Sequence, residues 1–250
     1  EMRCEVQARI PNPEGTFRLH LYRGSADGKE HMAIVYGDDI ISESLNQLRS
    51  GDNELVRRTR GAATSVSDEQ SAKELVQQRT AQTAERGPPL VRIHSECFTG
   101  ETVMSTRCDC GYQLAEAMRL MREEGRGIVV YLRQEGRGIG LMEKLRAYNL
   151  QDMGHDTVTA NVLLNHPPDA RTYESAHAIL RDLGARNIRL LTNNPDKIEK
   201  ITADGTINVT EPVPMIPRWW FENEAGATEP AGTADRYLLT KITRMRHMLP

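Results

Sequence analysis

Apolar and polar positions change period partway along the chain. In the first forty residues the period is two: Cys4, Val6, Ala8 and Ile10 fall on one face of a strand, and Phe17, Leu19 and Leu21 on one face of the next. Pro11-Asn12-Pro13-Glu14-Gly15 between them carries turn chemistry, so the pair reads as a hairpin. Residues 32–36 form a third strand, closed by Gly37-Asp38-Asp39. Over residues 44–89 the texture turns to Ser, Gln, Thr, Arg and Glu without an aromatic. That stretch reads as an exposed, largely mobile insertion with one helix near residues 68–78 and no chemistry of its own.

Beyond Pro89 the pattern alternates between strand and helix. Strands are predicted at 90–94, 128–132 and 188–191, and helices at 113–124, 141–153 and 172–183. Gly125 and Gly184 stand where helix C-caps need them. Residues 234–248 place Leu238, Ile242 and Met245 on one side of a docked amphipathic helix. The whole, residues 1–250, reads as a single α/β domain.

Composition narrows the partners. With 38% hydrophobic and 27% charged residues, a chain of 250 residues can bury a substantial core. A net charge of −3 supplies no basic field, so neither nucleic acid nor an anionic membrane surface is expected as a partner. Any nucleotide site must come from a local basic cluster. No apolar run approaches the roughly 18 residues of a membrane span. Glu1-Met2-Arg3-Cys4 lacks the pattern of a secretory leader, and a cytoplasmic location is expected, with N-terminal trimming left open.

Three of the four cysteines, Cys97, Cys108 and Cys110, lie within fourteen residues, and Cys4 is remote. Disulfide scaffolds space their cysteines differently, whereas soft thiolates suit zinc. Catalytic zinc commonly keeps three protein ligands and one open position, and His94 is the nearest candidate for a fourth donor. Unliganded buried thiols are the competing reading. Glu96, beside the first thiol, reads either as a group supporting the site or as a solvated surface carboxylate.

The second signal is Arg133-Gln134-Glu135-Gly136-Arg137-Gly138-Ile139-Gly140, which leaves an apolar strand and enters a helix. Glycines allow close backbone approach and arginines grip phosphate oxygens in pairs. The spacing matches neither a Walker A box nor a dinucleotide fingerprint, and a solvated turn explains it as well. Arg92, Arg171 and Lys197 gain weight only if they converge on one pocket.

Taken in order, the motifs resemble GTP cyclohydrolase II. They are Arg92-Ile93-His94-Ser95-Glu96-Cys97, Arg107-Cys108-Asp109-Cys110-Gly111-Tyr112-Gln113, Arg133 to Arg137, Lys144 to Asp152, and Leu190 to Pro195 with Lys197. The resemblance implies a three-layer α/β domain with a mixed sheet flanked by helices, working as a homodimer. It implies one zinc on Cys97, Cys108 and Cys110 that activates water for attack on C8 of GTP, and magnesium carried by the triphosphate. It places Tyr148 beside the zinc and Arg92, Ile93, His94, Ser95, Glu96 and Gln113 around the base. Glu135, Gly136, Arg137, Thr157, Thr192 and Lys197 are placed along the nucleotide. Asp169 becomes the general base, and Arg171 either a nucleophile toward the α-phosphate or a stabiliser of its charge. The implied products are formate, pyrophosphate and a diaminopyrimidinone ribosyl phosphate, the entry to riboflavin synthesis. A relative that stops at the formylated pyrimidine is the alternative, which a hydrophobic residue in place of Tyr148 would favour.

Overall fold

In the computed structural model, residues 2–215 are described, apart from 14, 26, 27 and 168. The helix expected over 234–248 lies outside the described residues. Strands β1 (Met2–Asn12) and β2 (Gly15–Gly24) form the hairpin, and β3 (Glu30–Tyr36) extends it. Next come β4 (Leu90–Ser95), β5 (Gly127–Leu132), β6 (Asn187–Leu191) and β7 (Asn208–Val213). They make one seven-stranded sheet in the order β1-β2-β3-β5-β4-β6-β7. The β3–β5 pair is antiparallel and the β5–β4–β6–β7 pairs are parallel, so the sheet is mixed and β5 is the seam.

Both faces of the seam are covered, which explains the unbroken apolar run of β5. On one face Val91, Ile93, Ile128, Val130, Ile188 and Leu190 pack on Ala176, Ile179 and Leu180 of α8 (Glu174–Asp182). On the other, Leu90, Val129 and Leu191 meet Ala117 and Met121 of α5 (Cys110–Glu124), which ends in left-handed Gly125 as expected. Each of the wholly buried Val, Leu, Ile and Met side chains among them contributes about 1.5–3 kcal/mol.

One expected face does not hold. The β1–β2 register slips between Cys4 and Val6, and the extra residue reverses the alternation. Cys4 therefore packs in the α8-side core with Tyr22, while Ile10 packs with Phe17 on the α5 side.

The segment 44–89 departs from the expected exposed texture. It folds as α1 (Glu43–Asn46), α2 (Glu54–Arg60) and α3 (Glu69–Glu85), the last opened by a capping box between Asp68 and Ser71. Arg57 and Arg60 are buried, as are Leu45, Ala62 and Val66. The two guanidinium groups share the Asp52 carboxylate and donate to the carbonyls of Ala63, Asn46, Leu45 and Gln47. Paired in this way, buried arginines cost little, which composition cannot reveal. The end of α3 is held where Asp39 accepts from Arg86 at 2.7 Å and from Arg126 at 2.8 Å. Among the described residues, no helix is long and apolar enough to cross a membrane.

Candidate active site

Strands β4, β5 and β6 run parallel, so their carboxyl ends open on one edge of the sheet. Open α/β sheets bind ligands at such an edge. Three of the motifs read in the sequence emerge there, after Ser95, Leu132 and Leu191.

Cys97 follows β4 at the mouth of the short helix α4 (Phe98–Glu101), and Cys108 and Cys110 lead into α5. Their three sulfur atoms lie within 4.8 Å of one another, Cys97 Sγ and Cys108 Sγ being 3.6 Å apart. Gly100 makes this possible: a Cβ there would sit 2.9 Å from Cys108 Sγ and 3.2 Å from Cys97 Sγ. Hydrogen bonds from Cys108 and Cys110 drive the Cys97 thiol far below its ordinary pKa, with the Lys144 ammonium assisting. Cys110 is pushed well above its ordinary value by Cys108 and Cys97, with burial adding to it. Cys108, pulled down by Cys110 and pushed up by Cys97 and burial, also ends raised. Three thiolates cannot share so small a space without a cation among them. The donor set, soft, clustered and facing a cavity on one side, fits a zinc site with an open position. Gly100→Ala should leave the melting temperature of metal-free protein within a few degrees but lower zinc affinity about tenfold or more, as misplaced ligands do. Equal zinc affinity in a chelator competition would contradict this crowding argument.

Helix α6 (Leu141–Asp152) brings Lys144 and Tyr148 to the thiols from one face, as their i, i+4 spacing requires. Lys144 Nζ donates to Cys97 Sγ at 3.1 Å and to Glu135 Oε1 at 2.8 Å. Burial opposes the ammonium, but these anions outweigh it and raise its pKa. The Tyr148 hydroxyl is 3.0 Å from Thr99 Oγ1, the Arg107 guanidinium lies over its ring, and burial raises its pKa. Lys144 and Arg107 stood inside the sequence motifs without a role assigned to them; the helical spacing from Tyr148 was the signal for Lys144.

The glycine-rich loop closes as a 3₁₀ turn over Glu135–Gly138 in which Gly136 and Arg137 are both left-handed. A non-glycine residue in that region costs about 1–2 kcal/mol. Bonds from Gly138 N to Gln134 O and Gly140 N to Glu135 O hold the turn. Ala170 N donates to Arg137 O at 3.1 Å, and a Cβ at Gly138 would strike the Ala170 carbonyl at 2.9 Å. Close packing thus sets the loop against the 169–171 segment. There Arg171 forks onto Asp169 with contacts of 2.8 and 2.6 Å. Burial raises the Asp169 carboxyl, but Arg171 outweighs it and brings the pKa down to about 2.

One cavity gathers Ser95, Glu96, the three cysteines, Glu135, Gly136, Arg137, Tyr148, Thr157 and Arg171, with Lys144 and Arg107. Asp169 reaches it through Arg171. The remaining expected residues do not line it. Ile93 is wholly buried in the core, and its carbonyl accepts from buried Lys197 Nζ at 3.0 Å. His94 is buried against Glu101 and stacks on Tyr131. Arg92 donates to Leu191 O at 3.1 Å and also bonds Gln113, whose amide donates to Asp109 at 2.5 Å. Thr192 is buried at the end of β6, accepting from Asn194 N. These residues lie behind the lining, held by hydrogen bonds within the fold.

A sequence profile of GTP cyclohydrolase II matches residues 3–214. The chain is 48% identical over 267 residues to the GTP cyclohydrolase-2 of Meyerozyma guilliermondii, covering 99% of this chain and 79% of that one. It is 47% identical over 244 residues to the GTP cyclohydrolase-2 of Neisseria meningitidis, with 98% and 95% covered. Against the riboflavin biosynthesis protein RibBA of Bacillus subtilis identity is 39%, over 98% of this chain and 48% of the relative. A family match over residues 3–214, with identities of 47–48% to two such enzymes over nearly the whole chain, makes the chain a member of the GTP cyclohydrolase II family.

Proposed function

We propose that this cavity binds GTP and hydrolyses it to formate, pyrophosphate and a diaminopyrimidinone ribosyl phosphate, the first step of riboflavin synthesis. The observation that carries the reading is the opening of a three-thiol cluster and of Arg137 and Arg171 onto the same cavity. A zinc ion held by Cys97, Cys108 and Cys110 supplies Lewis acidity and water activated near neutral pH. Ser95 and Glu96, next to the thiols, face the base. Arg137 and Arg171 take the phosphate oxygens, where paired donors suit their geometry, and magnesium arrives on the triphosphate. Lys144 offsets the thiolate charge.

Asp169 serves as a base only after Arg171 leaves it, because a carboxyl held near pKa 2 accepts a proton poorly. Substrate phosphate drawing Arg171 away would free that carboxylate at the moment it is needed. Arg171 itself stabilises charge, since a guanidinium stays protonated and is a weak nucleophile.

Incubating the zinc-loaded protein with GTP and magnesium, followed by mass spectrometry, tests the reading. All three products with about one zinc per chain are expected; untouched GTP despite bound zinc would refute it. Tyr148→Phe should slow formate release and let the formylated pyrimidine accumulate, by about 10- to 100-fold relative to pyrophosphate release, in keeping with loss of one proton-transfer group. Equal slowing of both products would remove Tyr148 from the deformylation step.

The working unit is proposed as a homodimer. Helices α6 and α7 (Thr157–Leu163) pack on each other and leave Met142, Leu145, Met153, Val162 and Leu163 exposed, the kind of surface that association covers.

A further inference from the structure

Directly behind the thiol cluster, outside the cavity, a carboxylate is tied to three donors from three elements. Glu101 Oε1 accepts from the Cys97 backbone N–H at 2.8 Å and meets His94 Nε2 of β4 at 2.8 Å. Glu101 Oε2 accepts from the Tyr131 hydroxyl of β5 at 2.7 Å. The side chain is 10% exposed, and the two rings that flank it stack at 5.6 Å. Glu101 N also donates back to Cys97 O at 2.9 Å, so the residue holds both the N–H and the carbonyl of Cys97.

A buried carboxylate is costly unless its lone pairs are satisfied, and here three donors satisfy them. Electrostatics does not explain its place, because a negative charge one helical turn from Cys97 opposes thiolate formation. Geometry does. Cys97 sits on a loop between β4 and a four-residue helix too short to hold it, and Glu101 bolts that loop to the two central strands. Donor groups behind metal ligands orient them in this manner.

We propose that Glu101 is a positioning residue of the metal site, fixing Cys97 through its backbone N–H with His94 and Tyr131 as anchors. The inference rests on the reading of the thiols as a zinc site. Its test uses Glu101→Ala and Glu101→Gln in the full chain, with zinc affinity from chelator competition and the visible absorption of the cobalt-loaded protein. Glutamine keeps an acceptor for the Cys97 N–H; alanine does not. The Ala variant should bind zinc about 10- to 100-fold more weakly with shifted cobalt bands, and the Gln variant should stay within about threefold of wild type with unshifted bands. An Ala variant with wild-type affinity and spectrum overturns the proposal, and so does a Gln variant as impaired as Ala. If the Ala variant fails to fold, Glu101→Asp, which keeps charge but shortens the reach, must show the weakened affinity; wild-type affinity there overturns the proposal too. Wild-type protein that takes up no metal overturns the zinc reading itself.

Discussion

Cys108→Ser is expected to lower formate release from GTP by at least about a thousandfold, because the several kcal/mol that a bound metal contributes to such a step disappear with it. Serine is a harder, far less acidic donor, and the remaining two thiols lie at the edge of a cluster whose three sulfurs span only 4.8 Å. The protein should stay folded, since Cys108 is only partly buried and takes no part in either apolar core. Elemental analysis should find the zinc lost. Pyrophosphate, assayed separately, should still be released in part, because the groups that grip phosphate belong to other loops. If both products vanish from a folded, zinc-free protein, the steps are strictly ordered with ring opening first. Undiminished formate release without zinc would end the metal-based account.

The second large effect is expected at the opposite end of the cavity. Arg171→Met should lower pyrophosphate release by about 100- to 1,000-fold, the usual loss when a preorganised charge-stabilising donor is removed, while zinc content is unchanged. Arg171→Lys should recover part of this, as a cation without the fork does, and intact mass spectrometry should find no covalent adduct on the wild-type chain. A trapped nucleotidyl adduct at Arg171 would make it the nucleophile instead. Removing Arg171 also releases Asp169, whose carboxyl should climb from about 2 toward its ordinary value of 3.8. The sign of the stability effect follows. A depressed carboxylate pKa stabilises the fold above the unfolded value and loses that contribution as pH falls through the folded one. The Met variant should therefore be less stable than wild type by about 1–2 kcal/mol at neutral pH, the gap closing between roughly pH 4 and pH 2. Urea melts at pH 7 and pH 2 would read it; a gap that persists at pH 2 would have another source.

Much of this architecture was legible before any coordinates. The period-two runs give β1, β2 and β3, and the continuous apolar run at 128–132 marks the strand buried on both faces. Gly125 and Gly184 mark the helix ends because a left-handed backbone favours glycine. Cys97, Cys108 and Cys110 were readable as one cluster, since eleven residues of chain can fold back on themselves within two short turns. Short elements were harder. Helices α7 and α9 (Pro195–Thr202) run only 7 and 8 residues and the exposed edge strand β7 only 6, too short for a period to stand out.

Other features were decided only by tertiary packing. Whether Arg57 and Arg60 lie in solvent or inside depends on Asp52 and on carbonyls that the fold brings to them. Which face Cys4 takes depends on a one-residue slip in pairing with β2. Lys197, Arg92 and Thr192 resemble ligand contacts in sequence, and the fold buries all three, with Lys197 on the Ile93 carbonyl and Arg92 on the Leu191 carbonyl. The cavity itself exists because β4, β5 and β6 run parallel and release their loops on one edge. Local residue types could specify the thiols, the glycine turn and the arginine fork one by one. Their convergence is a property of strand order, which is set by interactions between residues distant in the chain.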